Sequence, residues 1–111
     1  WLKTCLQSAA FQLSVGDEEQ ILFKLSELKI DQCWGILYNK GGKVIKHNHF
    51  PYALSFVYFV KTPKGSSPLI IEGKRIKAEE GKIVIFHASQ THWCNPSKVN
   101  GRCCLVGNIR Y

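Results

Sequence analysis

The regular alternation of short apolar segments with turn residues constrains the fold of this 111-residue chain more than any other feature. After residue 32, segments rich in β-branched and aromatic side chains are separated by turns such as Gly41-Gly42, Thr62–Pro68 and Gly73. The predicted strands are residues 33–39, 44–49, 53–60, 69–72, 74–78, 82–86, 91–94 and 102–109. Short strands at a spacing of roughly ten residues are typical of an all-β barrel or jelly roll.

The N-terminal part of the chain shows a different period. Asp17 can cap a helix, and Gln20 can reach back to it in a capping box. The apolar residues that follow lie at helical spacing up to about Lys29: Ile21, Leu22, Leu25 and Leu28. We therefore predict one domain spanning residues 1–111, with a helical N-terminal segment at 1–31 and a β-barrel core at 32–111.

The charge of the chain is strongly positive and unevenly distributed. The formal net charge is +7, and five of the eight acidic residues lie within the first 31 positions. A basic surface can attract nucleic acid. Lysines on strand edges and loops are the commoner explanation, because they also block unwanted edge pairing. Nucleic-acid binding is therefore kept as the less favoured prediction.

Apolar patterning and cysteine usage predict a cytoplasmic protein without a membrane span. No apolar run approaches the roughly 20 residues that cross a bilayer, and residues 1–13 lack the pattern of a signal peptide. The five cysteines have no CxxC spacing. We expect them to be small core residues in a reducing compartment, with Cys94 on the same strand face as His92.

Three histidines form the main candidate site. His47 and His49 are two residues apart, so on a strand they would share a face. His92 opens a later strand that would lie opposite this pair in an antiparallel barrel. Three imidazoles can bind a transition metal. The alternative is that they are surface or hydrogen-bonded core histidines. His87 is expected to be a loop histidine, although a metal role stays open for it.

Arg102 is the second candidate group, because it begins the last predicted strand. Arginine is rarely buried without a partner. In a pocket its planar fork usually recognises a carboxylate. The alternative is an exposed arginine at the start of a strand.

From Trp34 to Asn108 the sequence resembles the small Fe(II)- and 2-oxoglutarate-dependent oxygenases of bacteria and marine phages. The run Gly-(x)5-His-x-His that begins at Gly41 also resembles the first motif of the cupin barrels. Four further landmarks carry the resemblance: the segment 54–60 after the histidine pair, the turn 63–68, the segment 80–86 leading to His92, and Arg102 ten residues later.

The resemblance implies a cupin-like double-stranded β-helix, or jelly roll, that holds Fe(II) through His47, His49 and His92. It further implies that Arg102 pairs with the far carboxylate of 2-oxoglutarate and that Tyr38 helps to bind this co-substrate. The implied activity is a dioxygenase reaction, a hydroxylation of a small-molecule or peptide substrate.

Two departures from the family pattern keep alternatives open. His49 stands where a carboxylate ligand is usual, and Phe59 stands where a tyrosine often contacts the co-substrate. One alternative is a cupin-type three-histidine dioxygenase that does not use 2-oxoglutarate. The other is a non-enzymatic jelly-roll binding module with Phe50, Tyr52 and Trp93 as ligand platforms. The exposed edges of a small barrel also make a homodimer a reasonable expectation.

Overall fold

The computed structural model describes residues 28–110. This part of the chain contains eight β-strands and no helix. The strands are β1 Lys29–Tyr38, β2 Val44–His47, β3 Leu54–Lys61, β4 Leu69–Ile71, β5 Lys74–Ile76, β6 Ile83–His87, β7 His92–Cys94 and β8 Arg102–Arg110. The helix predicted from Asp17 onward lies outside the described residues except at its C-terminal end.

That end differs from the prediction, because residues 29–31 belong to β1 and not to a helical segment. β1 pairs with β8 from its first residue, with Lys29 opposite Arg110. The Nε atom of Arg110 also donates a hydrogen bond to a carboxylate oxygen of Asp31 at 3.0 Å. Pairing with a strand almost 80 positions away overrides the local helical pattern, which is why the predicted boundary falls too late in the chain.

The eight strands form two four-stranded sheets with orders β1-β8-β3-β6 and β2-β7-β4-β5. Every strand pair is antiparallel. From β1 to β4 consecutive strands alternate between the two sheets. β5 follows β4 in the same sheet, and the alternation resumes from β5 to β8. The chain therefore winds around a shared interior. This is the predicted jelly roll, and each predicted strand overlaps an observed one.

The interior between the sheets is filled by alternate residues of each strand. Ser55, Val57 and Phe59 of β3 face inward, while Leu54 and Phe56 face the opposite side of the sheet. The inner cluster consists of Tyr38, Val57, Phe59, Leu69, Ile71, Phe86, Cys94 and Cys104. A second buried cluster, on the outer side of the first sheet, consists of Leu28, Leu54, Phe56 and Ile109.

A tight hairpin joins β4 to β5 and fixes their register. Glu72 and Gly73 both have positive φ, at 49° and 80°. Two consecutive residues with positive φ match the right-handed twist of the flanking strands, and glycine adopts this conformation without steric cost. Ile70 is consequently held opposite Arg75.

The cysteines only partly meet expectation. Cys94 and Cys104 are buried, as predicted, and burial raises the pKa of the Cys104 thiol to about 11. Cys33 is exposed and Cys103 is half-buried, so these two are not core residues. Within residues 28–110, no helix is long and apolar enough to cross a membrane.

Gly107 is the most tightly enclosed glycine among residues 28–110. A Cβ atom there would overlap the backbone oxygen of Gln32 and the ring of Phe56. We expect Gly107→Ala to lower the free energy of unfolding by about 1–3 kcal/mol, the usual effect of overpacking. Urea denaturation measures this change. Gly35→Ala is the matched control, because the nearest atom to its Cβ would be 4.0 Å away; equal decreases in both variants would contradict the packing argument.

Candidate metal centre

β2 and β7 bring two of the predicted site histidines together. His47 ends β2 and His92 begins β7, and they are direct partners across the antiparallel ladder. Their ring centroids lie 4.3 Å apart. His92 is buried, and its ring also contacts that of Phe86 edge-on at 4.8 Å. The ladder therefore fixes this pair by register, as the sequence predicts.

His49 joins the pair from a loop and not from a strand. β2 ends at His47, so the expectation that both histidines lie on one strand is wrong. The backbone N–H of His49 donates to the carbonyl of Ala88 at 2.8 Å, and its carbonyl accepts from Tyr52 at 3.0 Å. These bonds position the loop so that the His49 ring stacks on His92, with centroids 5.0 Å apart.

The three imidazoles could hold one metal ion. One nitrogen from each ring lies within 4.8 Å of the others. The Nε2 atoms of His47 and His49 are 3.2 Å apart. Two nitrogens that each lie about 2.1 Å from a shared ion are separated by about 3.0 to 3.4 Å in octahedral or tetrahedral geometry. The His47–His49 distance falls within this range, so the spacing of this pair fits a shared ion.

Backbone carbonyls select the tautomer of two of the rings. Nδ1 of His47 lies 2.7 Å from the carbonyl oxygen of Ile45, and Nδ1 of His92 lies 3.2 Å from that of Gln90. A proton on Nδ1 satisfies each carbonyl and leaves the Nε2 lone pair directed at the cluster. This second hydrogen bond is the usual way in which a ligating histidine is oriented.

The environment also favours the neutral form of His92 and His49. The pKa of His92 is lowered to about 4, mainly by burial; the Gln90 carbonyl opposes this in part, and His47 and His49 each add a smaller lowering effect. Burial and the nearby His47 also lower the pKa of His49. Neutral imidazole is the form that binds a metal. His87, for which a metal role was left open, ends β6 and is not a member of the cluster.

Arg102 lies in the same cavity as the three histidines. Its side chain is the largest fully buried one in the described part of the chain, with 1% of its surface exposed. Nη2 donates to the sulfur of Cys94 at 3.5 Å, but Nε and Nη1 have no hydrogen-bond partner among residues 28–110. Buried polar groups are almost always paired, so this guanidinium has donors available for an anion.

Two aromatic rings hold the Arg102 side chain in place. Its guanidinium carbon lies 4.5 Å from the ring centroid of Tyr38 and 5.7 Å from that of Phe59. Tyr38 and Arg102 are also direct partners on β1 and β8. Burial raises the pKa of the Tyr38 hydroxyl well above its ordinary value, so this group remains a hydrogen-bond donor. Cation–π contacts compensate part of the cost of burying the charge.

Sequence reasoning did not identify a row of polar residues near the metal end of the cavity. The hydroxyl of Ser55, which lines the cavity, donates to Oδ1 of Asn108 at 2.8 Å. Nδ2 of Asn108 donates in turn to Oε1 of Gln32 at 3.0 Å. Ser55 and Asn108 are both buried. Polar residues at inward positions of otherwise apolar strands were the signal that could have revealed this row.

The cavity that joins the histidines to Arg102 is narrow and mainly apolar. Its volume is about 60 Å³, which admits a short, slender molecule and no bulky one. Trp34 stands at the cavity, with 40% of its surface exposed and its ring centroid 6.4 Å from that of His49. A bulky molecule is therefore not enclosed by residues 28–110 and would have to bind at the mouth.

Comparison with solved structures identifies the fold. The chain is similar to an oxidoreductase of the 2OG-Fe(II) oxygenase family from Burkholderia pseudomallei, with a TM-score of 0.71 and 14% identity over 93% of this chain and 55% of that one. It is similar to a Pseudomonas putida prolyl-4-hydroxylase, with a TM-score of 0.63 and 21% identity over 70% and 51% of the two chains. The chain thus spans about half the length of these two proteins.

A second group of similar structures consists of cupins. An RmlC-like cupin from Desulfovibrio desulfuricans gives a TM-score of 0.56 and 15% identity over 73% of this chain and 78% of that one. No protein-family profile matches the sequence, and no curated protein matches it. Because the identities are low, these similarities confirm the cupin-like fold and go no further.

Substitution of the cluster histidines provides the direct test of metal binding. We expect His47→Ala, His49→Ala and His92→Ala each to weaken Fe(II) binding at least about 100-fold, because each removes one of three ligands. Anaerobic calorimetric titration measures this affinity. His87→Ala is the matched control and should bind Fe(II) as the parent does. If the control loses affinity while His92→Ala retains it, the assignment of the cluster is wrong.

The low pKa of His92 makes a separate prediction about the metal-free protein. The folded-state pKa lies below the unfolded value, so the unfolded chain binds more protons between about pH 6.5 and pH 4. The stability that neutral His92 contributes is present above pH 6.5 and is lost as the pH falls towards 4. We expect this loss to be about 2 kcal/mol, allowing for solvent at the cavity mouth.

Urea unfolding at pH 7 and pH 4.5 with a chelator present measures the effect. His92→Gln carries no titrating group at this position, so its free energy of unfolding should fall by about 2 kcal/mol less than that of the parent. Parallel decreases in the two proteins would show that His92 is not buried in its neutral form.

Proposed function

We propose that this protein is an Fe(II)- and 2-oxoglutarate-dependent oxygenase that hydroxylates a small molecule or peptide. The observation that supports this most is the fully buried guanidinium of Arg102, whose Nε and Nη1 have no partner among residues 28–110, in the cavity that also contains three clustered imidazoles. A metal alone explains the histidines but not the arginine. A co-substrate that is an anion at one end and a metal chelator at the other accounts for both groups.

The histidines supply the metal side of this proposal. His47, His49 and His92 would each supply one nitrogen to the ion, and its other coordination positions would be left for small molecules. Three protein ligands with open positions are typical of catalytic and not of structural metal sites. When bound, Fe(II) and 2-oxoglutarate would together supply the oxygen activation and the oxidative decarboxylation that hydroxylation requires.

Arg102 and Tyr38 supply the anion side. The free donors of the guanidinium would pair with the far carboxylate of 2-oxoglutarate in a charge-assisted interaction. Tyr38 stacks against the guanidinium and keeps its hydroxyl proton, so it could donate a further hydrogen bond. The mainly apolar walls of the cavity lower the local dielectric constant and thereby strengthen both interactions. Phe59 contributes a ring contact to Arg102 but no hydrogen bond to an anion.

The substrate would bind outside the narrow cavity. Phe50 follows His49 directly and is 76% exposed, and Trp34 contacts the His49 ring from β1. These two exposed aromatic side chains, close to a candidate metal ligand, could supply an apolar contact surface for a substrate. We propose that this surface positions a small molecule or a peptide segment over the metal.

We also propose that the protein is cytoplasmic and that it forms a homodimer.

A second candidate function is a three-histidine dioxygenase that does not need 2-oxoglutarate. The ligand set favours it, because the cluster in residues 28–110 contains three imidazoles and no carboxylate. In that case Arg102 would bind a carboxylate of the substrate itself. A non-enzymatic binding module is the third alternative, and it requires no metal.

Replacing Arg102 separates these functions. We expect Arg102→Gln to weaken 2-oxoglutarate binding to the Fe(II) protein by at least about tenfold, since a charge-assisted hydrogen bond contributes about 1.5–3 kcal/mol, and to leave Fe(II) affinity unchanged. The visible charge-transfer band of an iron-chelated keto acid, followed by anaerobic titration, measures 2-oxoglutarate binding.

Arg110→Gln is the matched control, because it removes the same charge from the exposed end of β8. It should bind 2-oxoglutarate as the parent does. An Arg102→Gln variant with parental affinity would refute the role of Arg102. If the parent binds Fe(II), gives no band and consumes oxygen without 2-oxoglutarate, the three-histidine dioxygenase replaces the proposal. Failure to bind any transition metal would favour the binding module.

A further inference from the structure

A second concave surface lies on the outer side of β2 and β7, opposite the histidine cluster. It is an open groove with a volume of about 460 Å³. The side chains that give it its character are those of Lys43, Ile45, Lys46, Trp93, Asn95 and Pro96. We refer to it as the outer groove. Neither the metal nor the anion cavity accounts for it.

Trp93 forms the aromatic part of the outer groove. His92 and Cys94 on either side of it are buried in the interior, so strand alternation directs the indole outward. The Nζ atom of Lys46 lies 4.5 Å from the centroid of the indole ring. The indole is half-buried, and one of its faces contacts the exposed side chain of Lys46.

Basic residues lie on both sides of Trp93 in the sheet, with Lys46 on β2 and Arg75 on β5. Arg75 pairs with Ile70, and Ile70 pairs with Trp93, so the three side chains form one row across the outer face of the sheet. Adjacent strands are about 4.8 Å apart, which places the Arg75 and Trp93 backbones about 10 Å from each other. None of the four acidic residues within 28–110 lines the groove, whereas that part of the chain contains 13 lysines and arginines.

We propose that the outer groove binds single-stranded nucleic acid. A base would replace the Lys46 ammonium over the Trp93 indole, and the released lysine, together with Lys43, would contact the flanking phosphates. Aromatic stacking combined with a track of cations is the general means by which proteins bind single strands without sequence preference. This proposal is independent of the metal site, because none of the groove side chains named above belongs to the histidine cluster.

The shape of the surface favours a nucleic acid over other anionic partners. An anionic membrane is bound by apolar side chains that project into the bilayer, whereas the indole here is half-buried. An acidic peptide would pair with the lysines but would make no use of the indole face. A nucleotide uses both features at once, since each base has a stacking face and each phosphate a charge.

Binding of a fluorescent 12-nucleotide oligo-dT, followed by anisotropy in chelator-treated protein, tests the proposal. We expect the double variant Lys43→Gln/Lys46→Gln to bind at least about tenfold more weakly. The slope of the logarithm of its binding constant against the logarithm of salt concentration should become less steep by about 0.7 for each phosphate that a lysine no longer neutralises. Trp93→Ala should also weaken binding about tenfold or more, and Trp93→Phe should lie between it and the parent.

Lys61→Gln/Lys64→Gln is the matched control, because it removes two exposed lysines that do not line the groove. It should bind within about twofold of the parent. Equally weakened binding in both double variants would overturn the proposal, since binding would then follow net charge alone. Groove-dependent binding of poly-glutamate or of anionic vesicles without binding of oligo-dT would also overturn it. Thermal unfolding of each variant verifies folding, and the lysine variants remain informative if Trp93→Ala does not fold.

Discussion

A cation buried without its full set of partners is the constraint around which this barrel is organised. Removing a guanidinium from water is costly unless its donors are used. Here the compensation comes from one sulfur contact and two aromatic rings, and it is incomplete. Tyr38, Phe59 and Cys94, which make these contacts, are core residues of three different strands. The core is therefore built around an incompletely satisfied charge, which is a poor arrangement for stability and a good one for ligand binding.

The two sheets serve this site in different ways. The first sheet holds Arg102 and Tyr38 as direct partners on β8 and β1. The second sheet holds His47 and His92 as direct partners on β2 and β7. In each case a ladder between strands that are distant in sequence sets the position of a functional pair. A shift of one residue in either register would turn these side chains to the wrong face, so the site depends on both ladders.

The sequence allowed the jelly roll and its strands to be predicted because turn residues and apolar periodicity are local signals. Gly73 and the segment 62–68 marked turns without reference to anything else in the chain. The start of β1 was placed too late, because pairing with Arg110 decides it and no local pattern reports that pairing. The opposition of His47 and His92 could be expected from the fold, but the burial of Arg102 without a full set of partners could not.

The polar row and the outer groove were missed for a related reason. Ser55 and Asn108 are ordinary strand residues until the register places them side by side, and Trp93 was considered only as a possible platform. Ser55 forms its hydrogen bond with Asn108, and Trp93 forms its cation–π contact with Lys46. Both partners are more than 40 positions away in the chain. Such pairings are properties of the sheet and not of any segment.

The loop position of His49 has a consequence for how such a barrel can diversify. His47 and His92 cannot be moved without disturbing a ladder, whereas His49 is held by backbone hydrogen bonds that do not depend on its side chain. An aspartate or glutamate could occupy that position with the same main-chain path. The exchange would lower the charge of the ligand set by one unit while leaving the architecture intact. The third position of the cluster is thus a modular element, through which one scaffold could present candidate metal sites of different charge.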